Sequence, residues 1–278
     1  MRVLVTGATT APGRSVLDQL LERGLHGIGA DQLPAPDRTH EWLRLPSVGD
    51  PHYVNELAGL LARHRVDLLI PTGGDLHLVA AANNLPQAVI APLEAVIAAN
   101  DRWLTTRRLA AAGIGVPLSV HGWQVSRPVR DLIGEPFVAR PRTAGGDGIR
   151  VFESWADAPQ FTSAEIVAEF IPGTANRADV HLTRDERDDV VTTTTTTTTL
   201  NSGAQGGETV ERVSAPDVAA LALAACRELG ILGPAEVNIR RRGNGTPVVL
   251  GVNARFGAHS HHSPEILEAV LARATVGA

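Results

Sequence analysis

The first 31 residues constrain the fold more than any other stretch, because strand and helix patterns alternate there around a glycine-containing turn. Arg2 to Thr6 is a run of apolar and β-branched residues that is typical of a strand. A turn over residues 7–13 follows, and then an amphipathic helix is predicted at about residues 14–23. A second strand is expected to end at Asp31. This βαβ order predicts a doubly wound sheet.

The same alternation extends this α/β domain to about residue 97. A helix is predicted over residues 50–64, and the apolar run at residues 66–71 predicts a buried strand. Asp75 lies just beyond the carboxyl end of that strand, where such sheets bind ligands. The turn at residues 7–13 holds two glycines, whereas a dinucleotide fingerprint needs three, so a turn that binds nothing is an open alternative.

The rest of the chain is predicted to alternate strands, polar loops and helices. Low complexity usually indicates disorder, but the eight threonines at residues 192–199 are all β-branched and follow a turn, so a strand is predicted there. Helices are also predicted at residues 102–112, 215–229 and 264–274, and strands at residues 136–141, 165–171, 177–182, 236–239 and 248–253.

Composition excludes several kinds of chemistry and partner. The formal charge is −5, which argues against a nucleic-acid partner held by bulk charge. All 25 basic residues are arginines, so no lysine can form a Schiff base or act as a general base. The chain has no apolar leader and no run of about 18 apolar residues, and its single cysteine, Cys226, cannot form an internal disulfide. We therefore expect a cytoplasmic protein without a membrane partner.

A predicted hairpin in the last fifth of the chain is the strongest candidate for a binding site. Because side chains alternate across a strand, Glu236 and Asn238 share one face of the first strand. Gly251, Asn253 and Arg255 share one face of the second. Amides and a guanidinium on neighbouring faces could hold a metal–phosphate group. An ordinary hairpin with a solvated polar face also accounts for this stretch taken alone.

Two loops carry further candidates. Arg140 lies on a predicted strand before the glycine-rich residues 142–149, and the backbone N–H groups of such loops can close over phosphate oxygens. His259, His261 and His262 lie in a loop after Arg255 and could line a substrate site or bind a metal ion. A polar surface turn is the alternative for the histidine loop.

Several motifs in this order resemble the ATP-grasp superfamily, especially the synthetase unit of the carbamoyl-phosphate synthase large chain and related carboxylate–amine ligases. They are NDRWLTTRRLAAAGIGVP, FVARPRTAGGDGI, IVAEFIPG, PAEVNI and VLGVNARFG. The resemblance covers nearly the whole chain. It implies an α/β fold in which a Rossmann-like pre-ATP-grasp domain (residues 1–97) precedes an ATP-grasp domain of two α+β subdomains (98–278). These are a glycine-loop subdomain at about residues 120–170 and a metal-binding subdomain at about 171–278.

The resemblance also implies roles for residues of this chain. Arg255 is the implied catalytic residue, which stabilises the transferring phosphoryl group, and Asn238 and Asn253 are the implied magnesium ligands. The implied ATP-binding residues are Arg102, Arg140, Gly145, Gly146, Gly148, Glu169, Phe170, Ile171, Asp179 and Gln205.

The implied activity is an ATP- and Mg²⁺-dependent ligation of a small carboxylate to an amino acid-like amine through an acyl phosphate. Family members are often dimers, so a homodimer is implied as well. One departure matters most: Gly251 stands where the family has the glutamate that bridges two magnesium ions. An ATP-grasp protein that binds nucleotide or ligand without ligation is therefore the alternative.

A reductase is a third interpretation of the opening VTGATTAPG. Short-chain reductases that use NAD(P) need a Tyr-x-x-x-Lys motif for proton transfer. The chain's one tyrosine, Tyr53, is followed four residues later by Leu57, and the sequence contains no lysine. The sequence therefore argues against a reductase, and absence of NAD(P)H binding would exclude it.

Overall fold

Three β-sheets form the framework in a computed structural model that describes residues 1–36, 39–143, 148–185, 189–199 and 207–276. The strands are β1 (Arg2–Thr6), β2 (His26–Asp31), β3 (Glu41–Arg44), β4 (Leu68–Pro71), β5 (Ser119–His121), β6 (Phe137–Pro141), β7 (Arg150–Phe152), β8 (Glu165–Glu169), β9 (Ala175–Leu182), β10 (Val190–Thr199), β11 (Gly207–Arg212), β12 (Gly233–Arg241) and β13 (Pro247–Asn253). The helices are α1 (Ala11–Glu22), α2 (Tyr53–Arg63), α3 (Leu76–Ala81), α4 (Leu93–Asn100), α5 (Arg102–Ala111), α6 (Arg127–Ile133), α7 (Pro216–Leu229) and α8 (Pro264–Val276). In the part of the chain described, none of these helices has the length and apolar character needed to cross a membrane.

The first sheet confirms the predicted doubly wound α/β arrangement. Its strand order is β3-β2-β1-β4, and all neighbouring strands run parallel. Val3 and Val5 of β1 pack with α1 and α8 on one face, whereas Leu4 packs with α2 on the other. Burial on both faces explains why β4 and the centre of β1 are apolar.

The other two sheets are antiparallel, with strand orders β5-β8-β6-β7 and β11-β10-β9-β12-β13. We call the five-stranded sheet the metal-side sheet, because it contains the predicted magnesium ligands. The threonine run forms most of β10, which confirms the predicted strand. The sequence analysis did not predict strands β3, β5 and β11, because they are short and mixed in polarity. Pairing with neighbouring strands, rather than their own sequence pattern, holds them extended.

The predicted division between residues 97 and 98 falls inside α4. Ala95, Ala98 and Ala99 of this helix pack into the same core as β9, β12 and α7. The helix therefore contributes to the core of the second half, and the division itself stays a prediction.

Alternation in β9 and β12 gives the metal-side sheet two different faces. Ala178, Val180, Val237 and Ile239 are fully or almost fully buried in a core that also contains residues of α7. Every second residue of the same strands points the other way, toward a face that carries charged and amide side chains. We call this second surface the polar face.

A close approach of two loops at the carboxyl ends of β1 and β4 gives the first prediction. Gly7 has φ +62°, and a Cβ there would lie 2.5 Å from Gly73 Cα. Gly24 has φ +66°, but a Cβ there would meet no atom within 4 Å. We expect Gly24→Ala to cost about 1 kcal/mol of unfolding free energy and Gly7→Ala about 3 kcal/mol, because only Gly7 combines backbone strain with a collision. Denaturant unfolding of both variants measures the difference, and equal losses would show that the loops are not in contact.

Candidate functional site

The polar face brings two rows of side chains together. Directly paired residues of an antiparallel sheet project on the same side, so the strand register fixes which side chains are neighbours. The first row runs across the strands through Thr192, Asp179, Glu236 and Asn253, and the second through Thr194, Arg177, Asn238 and Gly251. A shift in register after Asn238 marks a β-bulge in the hairpin.

The predicted magnesium ligands Asn238 and Asn253 lie in adjacent rows of this face. Asn253 Nδ2 donates a hydrogen bond of 2.8 Å to Glu236 Oε2, which fixes the amide and leaves its Oδ1 oxygen as an acceptor. Gly251 pairs with Asn238, and a Cβ on Gly251 would meet no atom within 4 Å. The backbone at position 251 therefore has room for a side-chain Cβ.

Asp179 and Glu236 form a buried carboxyl pair beneath the turn that follows Phe256. Ser263 Oγ donates to Asp179 Oδ2 at 2.8 Å. A Cβ on Gly257 would lie 2.6 Å from Glu236 Oε1 and 3.0 Å from Asp179 Oδ1, so this close cover requires glycine. Burial and the negative charge of Glu236 raise the pKa of Asp179 to about 7. The structure thus places Asp179, a predicted ATP contact, against Glu236 and under a turn.

Two predicted ATP-binding arginines converge beside the hairpin. Arg140 Nη1 donates to Leu250 O at 2.8 Å, whereas its Nε and Nη2 are buried with no hydrogen-bond partner among the described residues. Burial and the charge of Arg102 lower the pKa of Arg140 to about 10, so the guanidinium remains charged at neutral pH. Arg102 donates to Pro141 O from Nη1, and burial lowers its pKa as well. Buried, unpaired N–H groups next to a second cation suit an anionic ligand.

A cavity of about 270 Å³ lies next to Arg140. Its lining includes the predicted adenine-hinge residues Glu169, Phe170 and Ile171, together with Leu250 of β13. Glu169 Oε1 accepts a hydrogen bond of 3.0 Å from Leu118 N, which ties the hinge to the segment before β5. A larger cavity of about 610 Å³ between the first sheet and α8 is lined by none of the predicted site residues, so the cavity beside Arg140 is the one to which the ATP-site prediction applies.

The remaining predicted site residues fall partly inside and partly outside the described residues. Gly148 has φ +82° and lies against the ring of Pro141, at the end of the glycine-rich loop. Gly145, Gly146 and Gln205 lie outside the described residues. Arg255 Nη1 donates to Phe256 O at 2.9 Å. Burial lowers the pKa of Arg255, and the negative charge of nearby Glu236 opposes that shift.

Arg177 is a site residue that the sequence analysis missed. It pairs with Asn238 on one side and Thr194 on the other, and its Nε lies 3.9 Å from Glu236 Oε1. The sequence contained the spacing that places Arg177 on this face. Arg177 and Asp179 are two residues apart, so their side chains lie on the same side of the strand. Only the pairing of β9 with β12 shows that this face adjoins the hairpin.

The side chains do not fit the two-magnesium site that the resemblance implies. Mg²⁺ prefers carboxylate and phosphate oxygens, but Gly251 supplies none and Glu236 is engaged with Asn253. Among the described residues no group of three or more His, Cys, Asp or Glu side chains is arranged to hold a metal ion. This finding includes His259, His261 and His262, whose ring centroids lie 4.0–6.5 Å apart. A single ion held through the amide oxygens of Asn238 and Asn253 stays a prediction.

Comparisons with known proteins agree on the fold. The family model of the ATP-grasp domain (ATP-grasp_3) matches residues 99–259, which is more than half of the chain. No curated protein sequence matches the chain significantly.

Three solved structures illustrate the likeness. The L-amino acid ligase of Bacillus licheniformis has a TM-score of 0.72 at 15% identity, over 95% of this chain and 69% of that one. The D-alanine–D-alanine ligase of Bacillus anthracis has a TM-score of 0.64 at 13% identity, over 99% and 97%. The N5-carboxyaminoimidazole ribonucleotide synthetase of Thermotoga maritima has a TM-score of 0.68 at 13% identity, over 95% and 71%.

The buried carboxyl pair gives a prediction about pH. The raised pKa means that folded Asp179 keeps a proton that the unfolded chain releases near pH 4, so its contribution to stability falls as pH rises from about 4 to about 7. Asparagine does not titrate. Asp179→Asn should therefore gain roughly 1–3 kcal/mol of unfolding free energy relative to wild type between pH 5 and pH 8.

Denaturant unfolding at the two pH values measures this gain. Asp217→Asn is the matched control, because its pairing with Arg241 lowers the pKa of Asp217 to about 2 and the residue stays ionised over this range. The control should differ from wild type by the same amount at both pH values. An Asp179→Asn difference that is equally independent of pH would show that Asp179 is ionised in the folded protein.

Proposed function

The chain belongs to the ATP-grasp family, and we propose that it is an ATP-dependent carboxylate–amine ligase that works through an acyl phosphate. The observation that carries the proposal is the buried Arg140 guanidinium, which has two unpaired nitrogens beside the cavity of Glu169, Phe170 and Ile171. A nucleotide placed with its base in this cavity has its phosphates next to Arg140 and Arg102. The resemblances to ligases in fold support this choice of reaction.

ATP binding in this proposal divides between two surfaces. The base lies against the apolar lining of the cavity, which Ile171 and Leu250 help to form. The backbone of Phe170 and Ile171 forms hydrogen bonds with the edge of the base. The phosphates extend toward the polar face, where Asn238 and Asn253 lie. On the resemblance alone, Gly145, Gly146 and Gly148 are assigned to phosphate binding and Gln205 to nucleotide binding.

The first chemical step needs positive charge more than covalent participation by the protein. A substrate carboxylate oxygen attacks the γ-phosphorus of ATP, the bond to the bridging oxygen breaks, and ADP leaves. Arg255 stabilises the charge on the transferring phosphoryl group, and Mg²⁺, when bound, supplies further positive charge to the phosphates. The buried surroundings of Arg255 strengthen its electrostatic effect, because less water screens the guanidinium.

The second step needs a base for the amine, and the chain contains no lysine. The amine nitrogen attacks the acyl carbon, phosphate leaves, and one proton must be removed from nitrogen. Burial and the charges of His261 and His259 lower the pKa of His262, which keeps its imidazole neutral and able to accept that proton. Because His259 follows Arg255 by only four residues, we assign the histidine loop to the acceptor side of the site.

Another cavity, of about 170 Å³ at the carboxyl ends of the first sheet, is a separate candidate for the amine substrate. Its described lining includes Asp31 and Asp75 and no basic residue. Asp75 Oδ2 accepts from Thr6 Oγ1 at 2.7 Å and from Tyr53 Oη at 2.8 Å, while its buried Oδ1 has no partner among the described residues. Carboxylates without a counter-charge favour an ammonium group over a phosphate, so this cavity suits the amine substrate.

The alternative is an ATP-grasp protein that binds ATP without ligation, and the glycine at position 251 favours it. An ADP-release screen over amino acids and small carboxylates separates the two. For the ligase, release requires both a carboxylate and an amine, and Arg140→Met weakens ATP binding by at least about tenfold because a charge-assisted contact is lost. Tight ATP binding with no ADP release across the screen would leave only the alternative.

Gly251→Glu tests what the missing carboxylate costs. The open space above Gly251 accommodates the side chain, so we expect the variant to fold normally and to release ADP faster than wild type at the same Mg²⁺ concentration. Gly243→Glu is the matched control, since that glycine lies in the hairpin turn and also has open space around it. A rate that is unchanged or lower in Gly251→Glu would show that the carboxylate does not limit this enzyme.

A further inference from the structure

We propose that the guanidinium of Arg177 takes the place of the second magnesium ion, so that this protein neutralises the phosphates of ATP with arginine. The inference rests on the proposed function, because it concerns the same nucleotide site. The inference starts from the poor fit of the polar face to two magnesium ions. Gly251 stands where a carboxylate would bridge the ions, and Arg177 lies in the same row as Gly251.

The strand register places Arg177 where it can act on that space. Arg177, Asn238 and Gly251 are consecutive members of one row on β9, β12 and β13. Neighbouring strands lie about 4.8 Å apart, so the backbones of Arg177 and Gly251 are separated by about 10 Å, which a long arginine side chain largely spans. The Nε atom already lies 3.9 Å from Glu236 Oε1, so the side chain leans toward β12.

Fixed positive charges border the same space. Arg140 donates to the carbonyl oxygen of Leu250, the residue before Gly251, and Arg255 follows Asn253 by two residues. A glycine in place of a carboxylate removes one negative charge from this region, so an ion there loses its main ligand. A guanidinium offers a permanent charge and paired N–H donors that match phosphate oxygens.

Glu236 acts as a positioning residue in this arrangement. Its Oε2 holds the amide of Asn253 at 2.8 Å, and its Oε1 faces the Arg177 side chain. The carboxylate is covered by Gly257, so it orients its two neighbours and does not itself reach the nucleotide. The consequence is a site whose affinity for ATP depends little on added metal.

Calorimetric titration of the full chain with ATP, in excess Mg²⁺ and in excess EDTA, tests the proposal. We expect wild-type dissociation constants in the two buffers to agree within about tenfold. Arg177→Gln should weaken binding in EDTA by more than about tenfold and binding in Mg²⁺ by much less, because the ion then supplies the missing charge. Arg241→Gln is the matched control: this arginine of β12 pairs with Asp217 and should leave both affinities unchanged.

Each outcome has a separate meaning. Wild-type binding that occurs only with Mg²⁺ would overturn the inference and leave the proposed function intact. No ATP binding in either buffer would overturn the proposed function itself. Equal losses of ATP affinity in both buffers for Arg177→Gln would show that Arg177 is an ordinary phosphate contact, and would overturn the inference. If thermal unfolding shows that Arg177→Gln does not fold, Arg177→Lys is the second variant, because it keeps the charge. Loss of its ATP binding in EDTA but not in Mg²⁺ supports the inference and identifies the paired donors of arginine as the cause, and retention of metal-free binding supports it through charge alone. Equal losses in both buffers would overturn it.

Discussion

The site depends on the burial of one face of β9 and β12 against α7. Ala178, Val180 and Val237 lie in that core, and each can stay buried only if the strands keep their present register. A slip of one residue would turn these side chains to the opposite face and carry Arg177 and Glu236 into the core. The same apolar packing that stabilises the sheet therefore aligns the polar side chains of the proposed nucleotide site.

Arginine supplies all the positive charge that lysine would share in other proteins. A buried arginine keeps its charge, and Arg140, which donates to the carbonyl oxygen of Leu250, is an example. Burial lowers the pKa of a lysine toward neutrality more readily. A chain without lysine can thus keep several cations at one buried site. The cost is that no amine remains to serve as a base, and the neutral His262 is the group that fills this role in the proposed mechanism.

The turn that covers the carboxyl pair also connects the two halves of the chain. Ser260 in this turn contacts Ser15 of α1 at 2.9 Å between hydroxyl oxygens, and Gln19 Nε2 donates to Ser260 Oγ at 3.2 Å. These buried hydrogen bonds link the helix that follows the opening glycine turn to the loop that follows Arg255. They hold the cover over Asp179 and Glu236 against the helix α1 of the first half.

The sequence by itself determined the βαβ opening, the strand in the threonine run, the order of the motifs and the alternation that gives each strand of the hairpin a polar face. These features are local, because they depend on the two-residue repeat of a strand and the three- to four-residue repeat of a helix. Only the tertiary structure decided that Glu236 pairs with Asn253, that Asp179 lies under Gly257 and that Arg177 shares a row with Gly251. Register, bulges and burial arise from contacts between residues far apart in the chain, which no local repeat encodes.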